Sequence, residues 1–222
     1  MHFEITDKVE NEVIEPMSAT LRDNDFNIKP VIKSLLQSEH FYEQDNIGAM
    51  IKNPVDFVMF SLNQFQVPFP ENNLYRKYQL RFKLYQEMED MQMEIFNPPN
   101  VAGWKAYYQK PLYYQSWISS ATLPLRMNYT NKLANNGLRF AGYDIKIDPL
   151  KFVENLSDPL DPNTLILDLA KLLFPHPISE EQKDILKEIL IPGLPDFEWT
   201  VEYGNYTSNP SDENLKASVE QK

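Results

Sequence analysis

Asn53-Pro54, Asp148-Pro149 and Asp161-Pro162 repeat one device along this chain: a polar side chain able to cap a helix, followed at once by proline. Proline fixes φ near about −65° and lacks an N–H, so it suits the first helical turn and breaks most other regular structure. With seventeen prolines and six glycines, the sequence favours helices started and stopped by proline over a sheet protein full of glycine turns. Ile28, Val31, Ile32, Leu35 and Leu36 form an amphipathic stripe with Pro30 in its first turn. The helix opened by Asn53-Pro54 is expected to bury Val55, Val58, Met59, Leu62 and Phe65. Phe57 and Phe60 lie off that stripe and predict cover on most sides, and Val67-Pro68-Phe69-Pro70 stops the helix. Residues 72–92 form the longest periodic run, with Tyr75, Tyr78, Phe82, Tyr85 and Met88 on the predicted inner face.

Further on, a helix is expected from Ser116 to Asn136, kinked or divided by Pro124. Asp161-Pro162 opens another with Ile166, Leu169, Ala170 and Leu173 inward. Ser179-Glu180-Glu181-Gln182 is a capping box ahead of Ile185, Leu186, Ile189 and Leu190. No repeat and no alternating strand pattern stands out. The expected fold is all-α: one multi-helix domain over residues 1–191, with a long proline- and aromatic-rich loop between its central helices. Residues 192–222 are expected to be an irregular tail, with Phe197-Glu198-Trp199-Thr200-Val201 extended, then a helix start at Asn209-Pro210-Ser211-Asp212 cut short at Lys222.

Charge and composition remove several functions. A net charge of −11 repels phosphate backbones, so nucleic acid is not an expected partner despite Arg76, Lys77, Arg81 and Lys83 among aromatic residues. No apolar run reaches the roughly 18 residues of a membrane span. With no cysteine, thiolate catalysis and Cys-ligated metals are excluded. His2, His40 and His176 are too scattered for a metal site. Asp158-Pro159-Leu160-Asp161-Pro162-Asn163 carries calcium-type oxygens, but its prolines favour helix capping. No Gly-x-Ser-x-Gly and no Ser, His and acid in concert is present, and Ser119, Ser120 and Thr122 are expected to bond back to helix carbonyls. No cofactor is expected, and the chain holds no complete catalytic constellation. Bases near the start of the 72–92 helix and acids near its end oppose the helix dipole, which singles out Arg81 and Arg126 as buried ion-pair candidates.

One segment stands apart: Phe96-Asn97-Pro98-Pro99-Asn100-Val101-Ala102-Gly103-Trp104. Two fixed φ angles, an asparagine able to close an Asx-turn and a glycine open to positive φ give it a defined, non-helical shape. One reading makes it the preshaped lip of a ligand or partner groove, with Asn97, Asn100, Trp104 and Trp117 facing the groove. The other docks the loop across the helices, with Trp104 plugging the core and the asparagines satisfying backbone groups. Tyr107, Tyr108, Tyr113 and Tyr114 follow, either as flat contact faces or as rings packed with hydroxyls outward.

This signature resembles that of the bacterial family of domain of unknown function 1800. Ile28-Lys29-Pro30-Val31 through Ser38-Glu39-His40-Phe41-Tyr42, then Ile51-Lys52-Asn53-Pro54-Val55-Asp56, are similar to family stretches in the same order. So are Trp117-Ile118-Ser119-Ser120-Ala121-Thr122-Leu123 and Leu169-Ala170-Lys171-Leu172-Leu173-Phe174. The resemblance covers about residues 15–190 and implies the C-terminal portion of a larger exported or periplasmic bacterial protein, often encoded beside a sulfatase-like partner. Many members carry Gly-Gln where this chain has Gln92-Met93, which predicts uninterrupted helix up to the signature. The expected function is a non-catalytic binding or scaffolding module for a glycan, a peptide or the sulfatase-like partner. Its recognition surface is Asn97, Asn100, Trp104, Tyr107, Tyr108, Trp117 and Arg126. The alternative is part of a hydrolase completed by residues outside this chain, with Asn97, Asn100 and Arg126 positioning substrate.

Overall fold

The computed structural model describes residues 7–70, 72–104, 117–140 and 142–220. Among the described residues the regular secondary structure is helical apart from one short hairpin, which makes the protein all-α. Contacts divide the chain into two compact units, the first comprising residues 1–52 and 98–119, the second residues 53–97 and 120–222.

The first unit begins with α1 (Asp7–Val9), a π-turn over Glu10–Ile14 and α2 (Glu15–Asp23), followed by α3 (Ile28–Leu36). Asn27 caps α3 by accepting the Lys29 N–H. Of the expected α3 stripe only Val31 is buried; Ile28, Ile32 and Leu36 stay exposed. Two short 3₁₀ turns, Glu39–Tyr42 and Gln44–Asn46, complete this stretch, the first capped by Ser38.

The second unit starts where Asn53 Oδ1 accepts the Asp56 N–H at 2.9 Å and Pro54 takes the first position of α4 (Pro54–Gln64). α5 (Leu74–Asp90) follows, capped by Asn73. Its inner face is not the predicted aromatic one. Leu80, Leu84, Glu87 and Met88 are buried, whereas Tyr75, Tyr78 and Phe82 are exposed. The two stripes lie on different sides of one helix, and Leu80, Leu84 and Met88 are the set that meets Val58, Leu62, Tyr129, Leu133, Leu138 and Ile145 in the core. α4 likewise buries Val58, Ser61 and Leu62 but leaves Met59 and Phe60 exposed, so it is covered on one side rather than on most.

α6 spans Thr122–Asn131 and continues as a π-turn through Lys132–Asn136. Pro124 sits in the first turn of α6, where its missing N–H costs nothing; it helps start the helix instead of kinking one begun at Ser116. Gly137 (φ 76°) then turns the chain into β1 (Leu138–Phe140), paired antiparallel with β2 (Tyr143–Ile145). Three residues per strand are too few to show alternation in sequence. The register sets Leu138 against Ile145 in the core and Arg139 against Asp144 outside. The Arg139–Asp144 ion pair, 3.0 Å, holds the carboxyl below the usual aspartate range.

A second cluster lies under α7 (Pro149–Val153), α8 (Pro162–Leu173), α10 (Phe197–Ser208) and α11 (Glu213–Glu220). Residues expected to form an irregular tail are helical here: Trp199, Tyr203 and Tyr206 of α10 pack with Leu150 and Leu165, and Val219 of α11 joins them. Burial of those three rings holds as helix a segment that reads locally as β-prone. The Trp199 indole N–H donates to the Pro159 carbonyl at 2.8 Å. In α8, Ile166 and Ala170 are buried as expected while Leu173 is exposed. α9 (Glu180–Leu190) keeps its capping box, yet Ile185 and Ile189 remain exposed. Phe65 and Phe152, rings 4.9 Å apart, connect the end of α4 with α7.

Three helices end by one mechanism. After α2, α4 and α5 the bonds Phe26 N–H to Leu21 O, Val67 N–H to Leu62 O and Met93 N–H to Met88 O close Schellman motifs. The left-handed position falls on Asp25, Gln66 and Gln92, with φ of 50°, 48° and 72°, where glycine is usual. Hence α4 ends at Gln64, ahead of the left-handed Gln66 and of Pro68, and α5 ends at Asp90 rather than running to the signature.

Candidate functional site

Once α5 has ended, the chain reverses through Glu94–Asn97, where the Asn97 N–H donates to the Glu94 carbonyl at 3.1 Å. The Glu94 carboxylate holds this turn from two sides. It accepts the Tyr85 hydroxyl at 3.0 Å and the Asn97 side-chain amide. Partial burial pushes the Tyr85 phenol above its ordinary pKa, and the bond to Glu94 adds to the effect. Asn97 thus braces the turn through its side-chain amide.

Phe96 sits at the apex with φ 70°. A bulky side chain in the left-handed region is rare and strained by about 1–3 kcal/mol. It is also 97% exposed, so burial does not repay the strain. Among the residues of the signature read from sequence, Phe96 was passed over; its signal is a backbone angle that no residue pattern encodes.

The rest of the signature belongs to the first unit. Asn100 Oδ1 accepts the Ala102 N–H at 2.8 Å, and the Gly103 N–H donates to the Asn100 carbonyl at 2.9 Å. This is the expected Asx-turn, and Gly103 takes φ 86° with open space around the missing Cβ. Val101 between them is fully exposed. Asn100 therefore shapes the turn, and Trp104 and Trp117 are half-buried. Tyr107 and Tyr108 lie outside the described residues.

Arg126, on α6, is buried, and its guanidinium carbon stands 4.7 Å from the centre of the Phe57 ring. Burial lowers its pKa. Arg81, the other buried ion-pair candidate, is exposed instead, 5.8 Å from the Tyr78 ring centre. Lys83 takes the pairing role, reaching the buried Glu87 at 2.9 Å. The calcium-type loop is committed to capping: Asp161 accepts the Asn163 and Thr164 N–H groups and the Thr164 hydroxyl, which together hold its pKa down. Among the described residues no group of His, Cys, Asp and Glu is placed to hold a metal ion, and no helix is long and apolar enough to cross a membrane.

An all-α protein whose central segment is a braced, proline-stiffened turn with apolar side chains held in solvent is the class these features define. The chain belongs to the DUF1800 family, described as a protein of unknown function, with residues 1–195 matching the family model. α10, which supplies the three aromatic rings of the second cluster, and α11, which supplies Val219, lie beyond the matched residues. No curated protein and no solved structure matches the chain.

Proposed function

We infer that this chain is a binding module of an exported bacterial protein, and that the signature turn is its point of attachment to a protein partner. The observation that carries this reading is Phe96, both strained and 97% exposed. Neither folding energetics nor solubility favours that arrangement, and outliers of this kind concentrate where a contact outside the fold repays them. Aromatic anchors of this size dominate binding energy when they enter a partner's pocket. A side chain that protrudes so far is a knob, not the wall of a groove, which favours a protein over a glycan. Asn97 and Asn100 act by holding the turn, so less order has to be imposed on binding. The sulfatase-like protein implied by the family resemblance is the first partner to test.

Biolayer interferometry of the immobilised chain against that protein, a glycan panel and proline-rich peptides tests the reading. Saturable binding of the protein is expected, weakened at least about tenfold by Phe96→Gly. That variant relieves the backbone strain and so keeps the fold. Equal binding by wild type and Phe96→Gly, or saturable binding to glycans alone, defeats the proposal.

A further inference from the structure

The helix endings of the second unit build a cleft of about 540 Å³ between α4 and α5. Val67, delivered by the Schellman motif at Gln66, joins Leu62, Leu84 and Met88 as a buried apolar floor. Met59 and Ile95 contribute further apolar surface. Onto this floor α5 projects Lys77 and Arg81, four residues apart and so on one helical face with Cβ atoms about 6 Å apart. Among the described residues no carboxylate lines the cleft, and Glu94 is bonded to the lining Tyr85.

Among the described residues neither Lys77 nor Arg81 forms an ion pair, although the chain carries a net charge of −11. Lys83, on the same helix, is neutralised by Glu87. Lys77 also lies in the first turn of α5, where the helix dipole disfavours a cation. An anion beside them offsets both penalties, while an apolar tail on the floor adds non-directional affinity.

We propose that this cleft binds an amphipathic small-molecule carboxylate, its head between Lys77 and Arg81 and its unbranched or arylalkyl tail along Leu62, Val67, Leu84 and Met88. The two oxygens of a carboxylate give each of the two cations an acceptor. The proposal is independent of the partner contact at Phe96, which needs no ligand in the cleft.

Isothermal titration calorimetry of the full chain with decanoate, decanol, decyltrimethylammonium and decyl phosphate, each up to about 1 mM at low salt, provides the test. Decanoate should bind saturably, decanol at least about tenfold more weakly, and the cation not at all, with decanoate affinity falling as salt is added. Lys77→Gln with Arg81→Gln should reduce decanoate to the level of decanol while the circular dichroism spectrum is retained. Met59→Trp, which fills the cleft from its exposed side, should weaken decanoate and decanol together. The proposal is overturned by absence of saturable decanoate binding, by decanol binding as tightly, or by a charge-neutralised double variant that binds like wild type. Decyl phosphate binding more than about tenfold tighter than decanoate overturns the carboxylate assignment.

Discussion

The phenol oxygen of Tyr129 on α6 lies 2.8 Å from the hydroxyl oxygen of Ser61 on α4, and both side chains are buried. Ser61 Oγ also lies 2.8 Å from the Val58 carbonyl, and with its proton on that oxygen Tyr129 is the donor in the pair. This bond joins two helices across the core at a point where Phe57 and Tyr129 also meet, ring centres 5.6 Å apart.

The direction of that bond predicts an asymmetry. Tyr129→Phe removes a donor and leaves Ser61 bonded to Val58, at a cost of about 1 kcal/mol. Ser61→Ala leaves a buried phenol with only the Val58 carbonyl, 3.5 Å away, and should cost about 2 kcal/mol. Urea denaturation of both variants measures this, and a milder Ser61→Ala would reverse the assignment of the donor.

Alkaline stability follows from the same residue. Burial pushes the Tyr129 pKa up to about 12, against the lowering effect of the Ser61 bond. An acid whose folded pKa is raised binds its proton more tightly when folded, so its contribution is complete below the unfolded value near 10. It is lost as pH rises from there through about 12. Tyr203 and Tyr206, also raised by burial, act in the same direction. Stability should therefore fall by about 2 kcal/mol or more across this window. Tyr129→Phe should flatten the slope in denaturant titrations at stepped pH.

The Schellman motif after α5 predicts a stabilising substitution. Gln92 at φ 72° is held in a region that glycine occupies without penalty. Gln92→Gly should raise stability by about 0.5–1 kcal/mol after allowing for the freer unfolded chain, whereas Gln92→Ala should gain nothing. Thermal melts of the two variants separate backbone relief from loss of the side chain.

Helix starts were legible because their signals are local. Asn53, Asp148, Asp161 and Ser179 each satisfy N–H groups two or three residues ahead, so residue type and spacing suffice to find them. Helix stops were less so. Asp25, Gln66 and Gln92 adopt a left-handed conformation without the glycine that usually announces it. At the candidate site the Asx-turn of Asn100 was legible for the same local reason, while the strain and exposure of Phe96 were not.

The sequence by itself determined an all-α protein, the first residues of α4, α7, α8 and α9 and the Asx-turn of the signature, since capping and proline geometry involve atoms only a few residues apart. Which face of each helix turns inward was decided by tertiary structure. α5 carries two competing stripes, Tyr75, Tyr78 and Phe82 against Leu80, Leu84 and Met88, and apolar spacing alone rates both as cores. Packing against α4, α6 and the hairpin buries the leucine stripe. The same rotation brings Lys77 and Arg81 to the cleft, because a rigid helix can present only one face to the core at a time.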